Sequence, residues 1–104
     1  MDDLTGFLNR QIENQRHRAN ALKALAVALP AKAAAYVAET ADLLHADADA
    51  KREIIVKYER AMEQEPKRPD DQVNRGYILG MNAAAVALTR AYADRPGFRP
   101  EWRP

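Results

Sequence analysis

Along the first third of the chain Leu4, Leu8, Ile12, Gln15, Ala19, Leu22, Ala26 and Leu29 recur at spacings of mostly three and four. That rhythm keeps one stripe on one helix face and predicts a helix over 3–29. Asp2 and Asp3 suit its start, because carboxylates there oppose the positive end of the helix dipole. Pro30 ends or kinks it. A second series, Val37, Ala41, Leu44, Ala48, Lys51, Ile55, Tyr58 and Met62, keeps a strict four-three alternation and predicts helix over 31–64. A break near Thr40 stays open, since Thr40 could cap a helix starting at Ala41. Lys51 within this series implies a seam that is not uniformly buried.

Pro66-Lys67-Arg68-Pro69-Asp70-Asp71 interrupts the helical pattern, and Asp70 or Asp71 is a natural N-cap for a third helix. That helix is predicted over 72–93. It carries two apolar stripes, one large (Ile78, Met81, Leu88, Tyr92) and one small (Gly76, Gly80, Ala84, Ala87, Ala91). A helix apolar on two faces is either central in a bundle or shared with a second chain. Pro96 and Gly97 stop it, and residues 95–104, with three prolines, are expected to be extended. The fold expected is all-α: a small bundle of three long helices over 1–94, with an extra short helix if the chain breaks at Thr40, closed by a tail over 95–104.

Composition sharpens this picture. Of 104 residues 47% are hydrophobic, but 21 are alanine, which favours helix and limits the core. There is neither cysteine nor serine, which excludes zinc ribbons, disulfide scaffolds, CxxC redox chemistry and serine or cysteine nucleophiles. A net charge of +1 speaks against a polybasic tail acting alone. The opening Met1-Asp2-Asp3 is the opposite of a basic signal-peptide start. The longest uncharged run, 76–89, is shorter than the about 20 residues a membrane span needs. A soluble, cytoplasmic protein with no membrane partner is expected.

Four groups of residues carry candidate chemistry. Asp42, His45, Asp49 and Glu53 share a helix face, but the first helix offers only Glu13 and His17 to match them, so no metal is expected. Arg16, Arg18, Lys23 and Lys32 lie in an acid-free stretch that could meet a phosphate backbone, yet Arg16 and Arg18 point about 200° apart on the helical wheel. Gly76, Gly80 and Ala84 would allow a close helix contact, within the chain or with a second copy. Phe98 and Trp102, with Arg95, Arg99 and Arg103, form an aromatic-arginine tail of the kind that anchors interfaces. The reading favoured over a free anchor is that both rings fold back on the bundle, with Trp102 beside Tyr92 and the arginines on the rim.

The run Tyr92-Ala-Asp-Arg-Pro-Gly-Phe-Arg-Pro-Glu-Trp-Arg-Pro104 resembles the closing signature, commonly YADHPDYREEWRP, of a family of small uncharacterised actinobacterial and actinophage proteins, a domain of unknown function. Asp3-Leu4 followed by Phe7-Leu8 is similar to that family's opening DLVAFL, and residues 33–55 are similar to its middle. Many members carry a cysteine cluster before the tail. Residues 66–90 hold none here, so no metal or redox role is implied. Many also carry a Gly-rich insert where residues 19–31 are alanine-rich. The resemblance implies source and fold but no activity. The sequence therefore reads as a non-enzymatic interaction protein without cofactor, binding a protein partner or a second copy. The alternative is a nucleic-acid-associated accessory protein.

Overall fold

The computed structural model describes residues 3–103. Three α-helices, α1 (Asp3–Ala26), α2 (Ala31–Gln64) and α3 (Gln72–Thr89), account for most of them, and no strand occurs among the described residues. The small all-α bundle expected from the sequence is the fold observed. Asp2 and Pro104, expected at the first cap and the end of the tail, lie outside the described residues.

Each helix ends for a local reason. The predicted first helix runs to residue 29, but α1 stops at Ala26. Leu29 precedes Pro30, and the proline ring disfavours α geometry in its neighbour. The chain tightens instead, with Ala28 N–H donating to the Leu25 carbonyl and Leu29 N–H to that of Ala26. The Pro30 carbonyl then accepts from Ala34 N–H at 2.8 Å and starts α2. There is no break at residue 40. Thr40 Oγ1 donates to the Tyr36 carbonyl one turn back, so its hydroxyl serves the helix interior rather than a cap. Asp71 caps α3 by accepting from Asn74 N–H at 3.0 Å.

The third predicted helix extends to 93, whereas α3 ends at Thr89 and a 3-10 turn, Arg90–Tyr92, comes next. Thr89 is fully buried, and its Oγ1 donates to the Val86 carbonyl at 2.6 Å. Such back-bonding favours a tightened turn, and Arg90 N–H accordingly reaches back three residues to Ala87.

The two hairpins share α2. On one side Lys23 pairs with Asp42, Gln15 with Asp47 and Asn9 with Arg52. On the other, Asn74 Nδ2 donates to the Ala61 carbonyl, Asn82 Nδ2 to Tyr58 Oη, and Lys51 Nζ to Tyr92 Oη. Both partners thus run antiparallel to α2, which at 34 residues is the longest element and the central one. This corrects the first branch of the expectation for the third helix: α2, not α3, is central in the bundle. Three helices coincide only mid-way along α2. There Leu4, Phe7, Leu8 and Ile12 meet Ala48, Ile55, Ala85 and Trp102 in the core. Beyond that slab each end is a two-helix arm. The radius of gyration is 17.2 Å, against about 13 Å for a compact chain of this length, and the extents are 59 × 26 × 19 Å.

Candidate functional site

The tail is built from turns rather than extended chain. Arg95-Pro96-Gly97-Phe98 closes with Phe98 N–H donating to the Arg95 carbonyl at 3.2 Å, and Gly97 has φ +90°. Pro at the second position and Gly at the third is the type II turn signature. A second turn lies over Pro100–Trp102, where Trp102 N–H donates to Arg99 and Arg103 N–H to Pro100. Pro100 does not forbid this turn. It occupies the first position, where no N–H is required and its fixed φ is already suitable.

These turns bring Phe98 and Trp102 together edge to face, their centroids 5.5 Å apart, instead of spacing them along a strand. The pair closes over Phe7, whose centroid lies 5.2 Å from Trp102, 6.0 Å from Phe98 and 6.4 Å from Tyr92. Trp102 is 8% exposed, so the tail docks on the bundle as the fold-back reading held. Its principal partner is Phe7 on α1, not Tyr92. Phe7 falls beside Leu8 and three residues after Leu4, and widens the first stripe to the breadth a core-facing helix needs. A strict three-four count passes over it.

The tail arginines do stand on the rim. Arg99 pairs with Asp3 and, at 3.7 Å, with Glu101, and Arg103 lies over the Phe98 ring. Arg95 meets Asp94 at 4.0 Å. The Arg99–Asp3 bridge joins the two ends of the described chain across the docked rings.

Gly76 and Gly80 make no close contact. A Cβ on either would meet nothing within 4 Å. The reading of this motif as a packing groove within the chain is therefore wrong. The cause is rotational: α3 turns Ala85 and Thr89 inward, which aims Gly76 and Gly80 outward, roughly half a turn away. Ala84 is half-buried at the flank.

The acidic face weighed as a metal site and the basic group are largely paired with each other. Asp42 pairs with Lys23 and Asp49 with Arg16, each at 2.9 Å, Glu53 with Lys57 at 3.0 Å, and His45 Nε2 lies 3.1 Å from Asn20 Oδ1. No group of three or more potential ligands converges among the described residues. Asp42, His45 and Asp49 of the acidic face, with Arg16 and Lys23 of the basic group, thus belong to one α1–α2 interface, while Glu53 is paired within α2. Arg18 and Lys32 stay exposed.

A polar knot that the hydrophobic pattern does not reveal lies beside the core. Lys51 Nζ donates to Asp47 Oδ2 at 2.6 Å, Tyr92 Oη at 2.6 Å and Gln15 Oε1 at 3.2 Å. Gln15 Nε2 in turn donates to the Leu44 carbonyl and to Asp47. Burial works to lower the Lys51 pKa, but its hydrogen bonds to Asp47 and Tyr92 outweigh this and leave it raised. Hydrogen bonds from Lys51 and Gln15 hold the Asp47 carboxyl below its ordinary value. A lysine held charged and a carboxylate held ionised make a clamp between helices, not an acid-base couple. The signal in the sequence is Lys51 itself, the charged residue in an otherwise apolar series.

The remaining surface feature is apolar. Leu25, Val27, Tyr36 and Leu43 are exposed on the α1–α2 arm, and Met62, Val73, Tyr77 and Leu79 on the α2–α3 arm. On the second arm a cleft of about 320 Å³ lies between Met62, Glu65, Arg75, Ile78 and Leu79. No helix among the described residues is long and apolar enough to cross a membrane. No curated protein and no solved structure matches the chain. A family model does, over residues 1–104, and the chain belongs to that family, the family of unknown function DUF6221.

Proposed function

We propose that this is a small non-enzymatic interaction protein whose two-helix arms are its binding surfaces, for a protein partner or for a second copy. The observation that carries the reading is where the large exposed apolar residues fall. All eight lie on or beside the helices of the arms, with Val27 at 88% and Leu79 at 72% exposed. Of these, Met62 and Leu79 adjoin at one apolar cleft, and apolar surface gathered in this way is the usual mark of a protein contact. The polar knot and the docked tail support the reading by keeping the central slab rigid while the arms project. The actinobacterial or phage source belongs to the same reading, and rests on the resemblance of the tail.

The test is a photo-crosslinking amino acid placed at Leu79 or Leu43 in cells that make the protein, with Arg18 as the control position. A discrete protein adduct at an arm position and none at Arg18 is expected. No adduct at any position, together with salt-dependent retention of the purified protein on DNA or RNA, would overturn the reading in favour of a nucleic-acid accessory role. In that role Arg18 and Lys32 would provide the phosphate contacts.

A further inference from the structure

On α3 the residues that face the α1 N-terminus and the tail are Asn82 and Val86, which line a cleft with Asp3, Leu4 and Trp102. Ile78, Leu79 and Arg75 lie one to two turns earlier on the same side of the helix. The cleft they form with Met62 and Glu65 therefore continues the position that α1 fills mid-molecule. It is the empty third-helix position of the α2–α3 arm. Its floor is apolar and is supplied by both helices.

The rim of this cleft carries one acid and one base. Arg75 Nε donates to Glu65 Oε1 at 3.3 Å, while Glu65 Oε2 is shielded from solvent and has no partner. The pair is thus a single long contact instead of a two-pronged fork, and the carboxylate is under-satisfied. Arg75, whose side chain is 53% exposed, is the complementary group.

We infer that a second copy of this chain covers the cleft, the two α2–α3 arms pairing about a two-fold axis into a four-helix bundle. The inference rests on the interaction reading above and names its partner. A two-fold contact requires a self-complementary patch, in which what residue i offers, residue j of the other copy receives. Met62, Ile78 and Leu79 against their own mates supply the apolar centre. Glu65 of each copy meets Arg75 of the other at the rim, which adds a second cation to a carboxylate that holds one long contact within its own chain. Two antiparallel hairpins joined face to face are a standard route to a four-helix bundle. An arm of about three turns per helix makes a small interface, below about 1,200 Å² in total, so association is weak and concentration-dependent.

The experiment uses the full chain in sedimentation velocity from micromolar to millimolar concentration. The native chain is expected to pass from monomer to dimer across that range. Arg75→Glu alone and Glu65→Arg alone should each weaken association at least tenfold, because each sets like charges across the axis. An equimolar mixture of the two single variants should associate again, as a mixed dimer, to within a few-fold of the native chain. Leu79→Lys should remove association while leaving the thermal midpoint of the monomer unchanged, since Leu79 is largely exposed. A native chain that stays monomeric, singles that associate like the native chain, or a mixture no better than its components would each overturn the self-pairing. If the native chain is monomeric yet Leu79 still crosslinks to a different protein, self-pairing fails and the interaction reading stands. If neither occurs at either arm, both fail.

Discussion

Trp102 illustrates what a single residue does in a chain so poor in large apolar groups. It is the lone indole, it is nearly fully buried, and it holds the tail against Phe7. Trp102→Ala should cost about 3 kcal/mol, read as a lowered denaturation midpoint by circular dichroism. In the native chain its fluorescence should be blue-shifted and poorly quenched by iodide; a solvent-like emission would show the tail undocked. Gly80 gives the opposite lesson. Its type suggests a close contact, but the space around it is open, so nothing is overpacked by a side chain there. Gly80→Ala should stabilise the monomer by about 0.5–1 kcal/mol, because alanine loses less backbone entropy in a helix. A loss of stability in a thermal melt would mean that the face is covered. Gly97, by contrast, is required by its backbone. At φ +90° any other residue is strained, although a Cβ would stand no closer than 3.5 Å to Phe7 and Arg10. The sequence distinguishes these glycines poorly, because GxxxG reports spacing and not the direction in which the stripe points. The Pro-Gly pair does report a turn, and only its type II geometry has to be recognised.

Between elements, the clamp at Lys51 ties α1, α2 and the turn after α3 through Gln15, Asp47 and Tyr92. Its two shifts agree in sense, since both keep the pair charged. A depressed carboxyl contributes stability that is fully present above its unfolded value, about 4, and is lost as pH falls through the lower folded value. A raised lysine contributes stability that is complete below about 10.4 and lost as pH climbs through the folded value above it. Stability from this pair should therefore be flat through neutrality and decline at both extremes. Asp47→Asn should lower the urea midpoint at pH 7, and its deficit relative to the native chain should shrink below pH 4. A deficit independent of pH would show that Asp47 acts through packing and not charge. At this scale the sequence is most informative. The four-three rhythm finds the body of α2 and Pro30 and Pro66 bound its ends, but the seam drifts at the C-terminal end, where Ala61 is buried in place of Met62. It errs where local geometry competes with periodicity, at Leu29 before a proline and at Thr89, whose hydroxyl tightens the last turn. It also presents the acids of α2 and the bases of α1 as separate candidate sites. Only their antiparallel pairing reveals one interface.

The whole molecule takes its shape from the mismatch of helix lengths. Helix α2 has 34 residues, α1 has 24 and α3 has 18, so two shorter helices laid antiparallel from opposite ends overlap only in the middle. Residues in that overlap, among them Phe7, Ile12, Ala48, Ile55, Ala85 and Thr89, are essentially inaccessible to solvent. The arms bury mainly alanine: Ala19, Ala26 and Ala41 at one end, Ala61 at the other. A methyl group buries far less apolar surface than a Leu or Phe side chain, so each arm gains less stability per residue than the centre. Local opening should therefore begin at the arms and reach the slab last. Amide hydrogen exchange read by NMR at low protein concentration should show the longest protection over residues 7–15, 47–58 and 84–89. Amides of 20–26, 31–40 and 72–79 should exchange through openings of lower free energy. If the concentration is then raised, a second copy on the α2–α3 arm should slow exchange over 60–64 and 73–82 and leave 20–40 unchanged. Uniform protection along α2 at every concentration would show a single cooperative unit. The arms would then be as stable as the core, and the elongated shape would carry no gradient of stability.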